Sequence, residues 1–454
     1  MSAPPPRKPR PPLPRGPFLV VGLARSGQAA ARLLAARGAR VRGVDSGDPD
    51  GAGRLREAGV EVFLDSDGLA LLEGTRTVVK SPGVPREAPV IAAALERGVD
   101  VVGELELAWR ALPNRTVGVT GTNGKTTTVE LLGHVYRSAG EPVALAGNVG
   151  TPLSELPGAV DPEATVICEC SSFQLEDSEF FAPECAVFLN LAPDHLDRHR
   201  DLGSYLAAKL RIFANQGNDD VAVYNADEAE LAGVDLGGCA RRLAFCVGAA
   251  PDCEVALAKG TIFYDGEPLL AVEELGLLGE HNVANAMAAA AAALSMGLGR
   301  EAVREGLRSF AGVPHRLELV AEVGGVRFVN DSKATNVASA IVGLRAFGGG
   351  VHAILGGSEK GEPFAPLLDP IRERCTAAYL TGATADRLAE ELAPVVADVP
   401  LRRCADLEDA VRQAAAAAAP GETVLLSPAC ASFDAFENFE VRGARFRAIV
   451  EELA

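Results

Sequence analysis

The sequence predicts an α/β protein of three domains, each built on a mostly parallel sheet. Three observations lead there. Short apolar runs of strand length alternate with helical stretches along nearly all of the 454 residues. Two of those runs, Phe18-Leu-Val-Val21 and Thr116-Val-Gly-Val-Thr120, lead into glycine-bearing turns. A chain of this length divides into two to four domains at ~100–200 residues each.

The first 17 residues, MSAPPPRKPRPPLPRGP, are rich in Pro and Arg and lack an apolar stretch, so they read as a disordered tail and not a signal peptide. Residues 18–110 read as the first domain. Its opening strand is followed by Gly22-Leu-Ala-Arg-Ser-Gly27, a helical stretch Gln28 to Ala36, and a second strand ending in Asp45. Those are the parts of a nucleotide-binding βαβ unit, although the glycine spacing is GxxxxG and not GxGxxG. A nicotinamide-dependent dehydrogenase is one reading of this segment alone.

Residues 111–313 read as a central domain. Short alternating runs such as Thr261-Ile-Phe-Tyr264 occupy 240–275, and a long Ala-rich helix, Asn282 to Ser295, closes the domain. Residues 314–454 read as the third domain, with strands at Val326–Asn330, Val351–Leu355 and Thr423–Leu426 and a helix from Ala405 to Ala418.

Hydrophobic residues make up 48% and charged residues 23%, enough for a large core. The formal charge of −18 argues against a nucleic-acid or anionic-membrane partner. No apolar run reaches the ~18 residues of a membrane span. Nine cysteines without a CxxC pair point to reduced thiols in the cytoplasm, and a monomer is expected. Of 43 basic residues only seven are lysines: Lys8, Lys80, Lys125, Lys209, Lys259, Lys333 and Lys360. A chain that prefers arginine retains lysine where an ammonium or amine is chemically required.

The strongest local motif is Gly121-Thr122-Asn123-Gly124-Lys125-Thr126-Thr127. A glycine turn between strand and helix wraps backbone N–H groups around phosphates. Lys125 supplies charge to them, and the Thr126 hydroxyl is a Mg²⁺ ligand. Val119 stands where the usual first glycine would be. Glu169 ends an apolar run, where a carboxylate suits Mg²⁺; taken alone it reads equally as a surface glutamate. Asp194, His195 and Asp197 cluster after another run, as metal ligands or as a solvated turn. Tyr205, Lys209 and Ile212 fall on one helical stripe beside Leu206, Leu210 and Phe213. A lysine there is desolvated, which favours the free amine and its reaction with CO₂ to a metal-binding carbamate; a snorkelling lysine is the alternative. Asn282 and Asn285, one helical turn apart, suit an adenine or ribose edge, or cap the helix. In the third domain His315-Arg316 and Asp331 offer a cation and an acid for a nucleotide, and Lys333 and Lys360 offer cations for a small dicarboxylate.

Together these residues resemble the Mur ligase family over essentially all the chain after residue 17. GTNGKTT, GEHNVAN and the Arg316/Asp331 pair are similar to signatures shared across it. NDSKATN (330–336) and SPACASFDAFENFEVRG (427–443) look like its D-glutamate-adding members, and the Asp-Asn-Pro-Arg string of the lysine- or diaminopimelate-adding members is absent.

The resemblance implies ATP-dependent ligation of D-glutamate to UDP-N-acetylmuramoyl-L-alanine through an acyl phosphate. That reaction serves peptidoglycan synthesis, and through it cell shape and division. It implies UDP-substrate contacts from Arg25, Ser26, Asp45, Ser46, Ser81, Gly83, Asn148 and His195, with Ala24 and Arg25 standing in place of a more usual Gly-Leu. ATP falls to Gly121 through Thr127, Asn282, Asn285, Arg316 and Asp331. Two Mg²⁺ ions fall to Thr126, Glu169, His195 and carbamylated Lys209. D-Glutamate falls to Lys333, Thr335, Lys360, Ser432 and Phe439. Lys125, His195 and Lys209 are the expected catalytic groups. Another amino-acid-adding ligase of the superfamily, folylpolyglutamate synthase included, is the nearest alternative; a non-catalytic ATP-binding module is a further one.

Overall fold

The computed structural model of the chain describes residues 4–194, 198–248, 253–277, 279–359 and 361–453. It divides into two compact units: Met1–Leu275 with His281–Phe310, and Gly276–Glu280 with Ala311–Ala454.

The first unit holds two sheets. The smaller runs Glu61–Phe63, Val41–Val44, Phe18–Val21, Thr77–Lys80, Asp100–Gly103, and every neighbouring pair is parallel. Parallel strands are covered on both faces, which explains the uninterrupted FLVV and TVVK runs. The strand order reverses between Phe18–Val21 and Thr77–Lys80, and an open α/β sheet presents its ligand crevice at such a reversal. The unusual GxxxxG spacing has a packing cause. A Cβ on Gly27 would lie 1.8 Å from the carbonyl oxygen of Gly22, so the helix Arg25–Ala36 approaches the turn only without a side chain there.

The larger sheet has nine strands. Thr116–Thr120 lies between Thr165–Glu169 and Cys185–Phe188, parallel to both. Val143–Gly147 closes one side, and Val221–Asn225, Arg241–Cys246 and Val255–Ala258 extend the other in parallel. The alternating runs of 240–275 end the sheet as an antiparallel edge, Val255–Ala258 with Thr261–Tyr264 and Glu267–Ala271. The Ala-rich helix spans Glu280–Ser295, and Ala286 through Ala293 are buried.

The second unit has six strands in the order Glu318–Val323, Val326–Asn330, Thr423–Leu426, Val351–Gly356, Cys375–Thr381, Leu401–Arg403; only the first pair is antiparallel. The expected α/β class with mostly parallel sheets is what the chain forms.

The N-terminal segment corrects an expectation. Residues 4–17 are not a free tail but run along the first unit. Arg10 lies 4.4 Å above the Trp109 ring, pairs with Glu184 at 3.1 Å, and donates to the carbonyls of Leu112 and Asn114. Lys8 pairs with Asp220 at 2.7 Å, and the Thr77 hydroxyl donates to the Arg15 carbonyl. Glu184 and Asp220 are 0% and 1% exposed, so their charges need these cations. Proline restricts the unfolded chain, which lowers the entropy lost on docking. Composition alone reads such a stretch as disordered; buried acids 174 and 212 residues away decide otherwise.

Candidate active site

In the first unit the glycine loop follows the strand Thr116–Thr120 and opens the helix Lys125–Ser138. Gly124 precedes that helix with φ +79°, and a Cβ there would meet Asn285 Oδ1 at 2.2 Å. Asn285 therefore lies against the glycine loop, and it donates to Asn282 Oδ1 at 3.0 Å. Lys125 Nζ curls back onto the carbonyls of Gly121 (2.8 Å) and Thr122 (2.7 Å). Thr126 Oγ1 donates to Glu169 Oε2 at 2.8 Å, and Asn148 Nδ2 donates to Glu169 Oε1 at 3.2 Å. The Asn190 side chain accepts from the Asn123 N–H at 2.8 Å, and the Thr122 N–H donates to the Asn190 carbonyl at 3.0 Å.

Lys209 stands in the same cluster. It is 1% exposed, and its Nζ donates to the Gly121 carbonyl at 2.7 Å, 4.4 Å from the Tyr205 ring centre. Two lysines thus share one carbonyl oxygen. Burial, and then the charge of Lys125, push the Lys209 amine down to about 6 from its usual 10.5. The helix bearing it ends at Leu210, so Ile212 and Phe213 line the core from the turn beyond and not from the helical stripe expected. Within the large sheet, Gly121, Glu169 and Asn190 all lie at or just past the carboxyl ends of adjacent strands, and the long-range bonds above draw them together.

At the carboxyl end of the first sheet lie Asp45 and Ser81, each just past a strand, and Ser26 in the first turn of the helix Arg25–Ala36. Asp45 accepts from the N–H groups of Leu23 (2.6 Å) and Gly47 (3.0 Å), and the Ser26 and Ser81 hydroxyls are 2.9 Å apart. Ser46 and Gly83 are exposed in the loops that follow. Arg25 donates to the Gly150 carbonyl in the loop that carries Asn148. Two contacts here escaped the sequence reading. Lys80, fully buried, pairs with Asp177 at 2.6 Å and donates to the Val84 carbonyl. Arg198 donates to the carbonyls of Pro82 and Val84. The scarcity of lysine was the available signal for Lys80; nothing local marks Arg198.

In the second unit Asp331 is 5% exposed and accepts from Ser427 Oγ (2.7 Å) and the Leu317 N–H (3.3 Å). Burial raises its carboxyl to about 7, opposed by Ser427 and the nearby Arg316. Lys333 Nζ lies 5.9 Å from the Phe439 ring centre. The Thr335 N–H donates to the Lys333 carbonyl, and Ser432 Oγ is buried with no hydrogen-bond partner among the described residues. His195, Asp197 and Lys360 lie outside the described residues. Among the described residues no three His, Cys, Asp or Glu side chains form a ready-made metal cluster, and no helix is long and apolar enough to cross a membrane.

A strand-borne glycine loop with Lys125 and Thr126, set against a carboxylate on the adjacent strand, defines a nucleoside-triphosphate-using α/β enzyme. Residues 17–103 match the Mur ligase MurD-like N-terminal domain, 119–293 the Mur ligase middle domain, and 315–430 the Mur ligase glutamate ligase domain. The chain belongs to the Mur ligase family and is a ligase. It is 41% identical over 442 residues to a protein of Acidobacterium capsulatum named UDP-N-acetylmuramoylalanine–D-glutamate ligase, covering 95% of each chain. It is 45% identical over 456 residues to a protein of the same name from Anaeromyxobacter dehalogenans, covering 96% of this chain and 97% of the relative. Among solved structures, the MurF ligase of Thermotoga maritima in complex with ADP shares the fold, with a TM-score of 0.58 and 18% identity over 91% of this chain and 96% of that one.

Proposed function

We propose that this protein joins D-glutamate to UDP-N-acetylmuramoyl-L-alanine using ATP, releasing ADP and phosphate, in peptidoglycan precursor synthesis. The relatives that carry this name cover nearly the full chain, which supports that choice of substrates. The observation that carries the chemistry is the meeting of Lys125 and Lys209 on the Gly121 carbonyl, next to the Thr126–Glu169 pair.

A carboxylate is a poor electrophile. Transfer of the γ-phosphoryl group to it gives an acyl phosphate, which the amine of D-glutamate attacks through a tetrahedral intermediate that then expels phosphate. Phosphoryl transfer depends on positioning and charge neutralisation more than on covalent help. The N–H groups of residues 121–127 and the Lys125 ammonium serve that end, and Asn282, Asn285, Arg316 and Asp331 complete the nucleotide contacts. Thr126, Glu169 and His195 would hold Mg²⁺, which neutralises phosphate charge when bound.

Lys209 fits a carbamate. As a free amine near neutral pH it attacks CO₂, forms a C–N bond and loses a proton, becoming a longer carboxylate able to serve a second Mg²⁺. Arg25, Ser26, Asp45, Ser46, Ser81, Gly83, Asn148 and His195 bind the uridine-linked substrate, while Lys333, Thr335, Lys360, Ser432 and Phe439 cradle D-glutamate.

Phosphate release tests the assignment. With UDP-N-acetylmuramoyl-L-alanine and ATP, D-glutamate should support turnover roughly 100-fold better than L-glutamate or a diamino acid, a discrimination within reach of a polar site. Equal or better turnover with another amino acid, or with a folate acceptor, would overturn it.

A further inference from the structure

We propose that Arg442 is a positioning residue of the amino-acid site, a buried guanidinium that holds the loops of the cradle in register without touching the amino acid. The inference rests on the reading of the second unit as the D-glutamate-binding one.

Arg442 lies in the first turns of the helix Phe439–Glu451 and is 3% exposed. Its Nε donates to Ser332 Oγ at 2.9 Å. Nη2 donates to the carbonyls of Ser332 (2.9 Å) and Cys430 (3.1 Å), and Nη1 to that of Ala431 (3.1 Å). These acceptors border the cradle directly. Ser332 precedes Lys333, and Cys430-Ala431 precede Ser432. The Ser332 hydroxyl in turn donates to the Phe439 carbonyl at 2.8 Å. The Ala431 carbonyl also accepts from the Ser358 N–H at 2.9 Å, on the segment leading to Lys360. One side chain therefore ties the loops after two different strands to the start of the last helix, and the shared Ala431 carbonyl links a third loop to them.

Its chemistry is unusual for a purely structural arginine. Among the described residues no carboxylate forms an ion pair with it, and four neutral oxygens take its hydrogens. A buried cation without a counter-ion is destabilising, and an apolar side chain would fill the same volume at lower free energy. Only the planar fork of arginine reaches four acceptors on separate loops; the point charge of lysine does not. Burial lowers the guanidinium to about 10, which leaves it charged at neutral pH. The buried Ser432 hydroxyl, held next to this hub, has no partner among the described residues and is available to a ligand.

Steady-state kinetics of Arg442→Lys and Arg442→Ala in the full chain test the role. In Arg442→Lys the KM for D-glutamate should rise roughly 10- to 100-fold, the scale of one or two lost charged hydrogen bonds, while the KM values for ATP and the UDP-linked acceptor stay within about twofold. Methylguanidinium should lower the D-glutamate KM of Arg442→Ala, and methylammonium at equal ionic strength should not. If Arg442→Ala does not fold, Arg442→Lys decides alone. An unchanged D-glutamate KM, or an equal rise in all three KM values, overturns the inference and leaves the acceptor assignment standing. Wild-type protein that does not turn over D-glutamate overturns both.

Discussion

Lys125→Ala is expected to lower ligation by about a thousandfold or more, with the folded state retained. The ammonium is half-buried and donates to carbonyls of its own loop, so its loss opens no core cavity. On the proposed reading, the same ammonium would neutralise phosphates held by residues 121–127. Its neighbour cannot replace it, because Lys209 is largely neutral at pH 7 and is itself held on the Gly121 carbonyl. The loss should appear in kcat, since charge develops on the transferring group in the transition state. Circular dichroism and a urea titration establish that the fold persists. Near-wild-type kcat in a folded Lys125→Ala protein would remove the phosphate loop from the mechanism.

Lys209→Met is expected to abolish ligation and at the same time stabilise the protein. The sign follows from linkage. The folded-state value of about 6 is depressed from 10.5, so between those values the unfolded chain binds more protons than the folded one. The stability that Lys209 allows above pH 10.5 is lost progressively as pH falls toward 6. At pH 7 the burden is on the order of 3–5 kcal/mol, and an isosteric apolar side chain removes it. The Gly121 carbonyl keeps its bond from Lys125. In CO₂-free buffer the variant should therefore have the higher unfolding midpoint at pH 7, and the difference should shrink as pH approaches about 10.

Wild-type ligation should fall on the acid side near pH 6, where the amine takes a proton and no longer captures CO₂. Formate should partly restore Lys209→Ala, because a small carboxylate would stand in for the proposed carbamate in the space the side chain leaves. A less stable Lys209→Met, or full activity in either variant, would contradict this account of the buried amine.

Much of this was legible because the signals are local. Parallel strands buried on both faces leave runs such as Val117–Thr120 and Val351–Leu355, and the glycine loop between strand and helix is marked by its GTNGKTT string. The desolvation of Lys209 was legible in its apolar neighbours. Its partner, the Gly121 carbonyl 88 residues away, was not. The N-terminal segment misled because composition reports the average behaviour of a chain in water, whereas two buried acids and one tryptophan decide its fate here. Arg442 was invisible for the same reason. It is one arginine among 36, and its partner Ser332 lies 110 residues upstream. Pattern identifies elements and the glycine-rich loops between them, but a hub of hydrogen bonds between distant loops leaves no periodic trace.

The clustered lysines and carboxylate are expected to activate an acid by phosphorylating it. The most direct test uses UDP-N-acetylmuramoyl-L-alanine labelled with heavy oxygen in its terminal carboxylate, with ATP, D-glutamate and the wild-type protein. Mass spectrometry of the products should find one labelled oxygen in the released inorganic phosphate and none in ADP. Unlabelled phosphate, or release of AMP and pyrophosphate, would contradict an acyl phosphate.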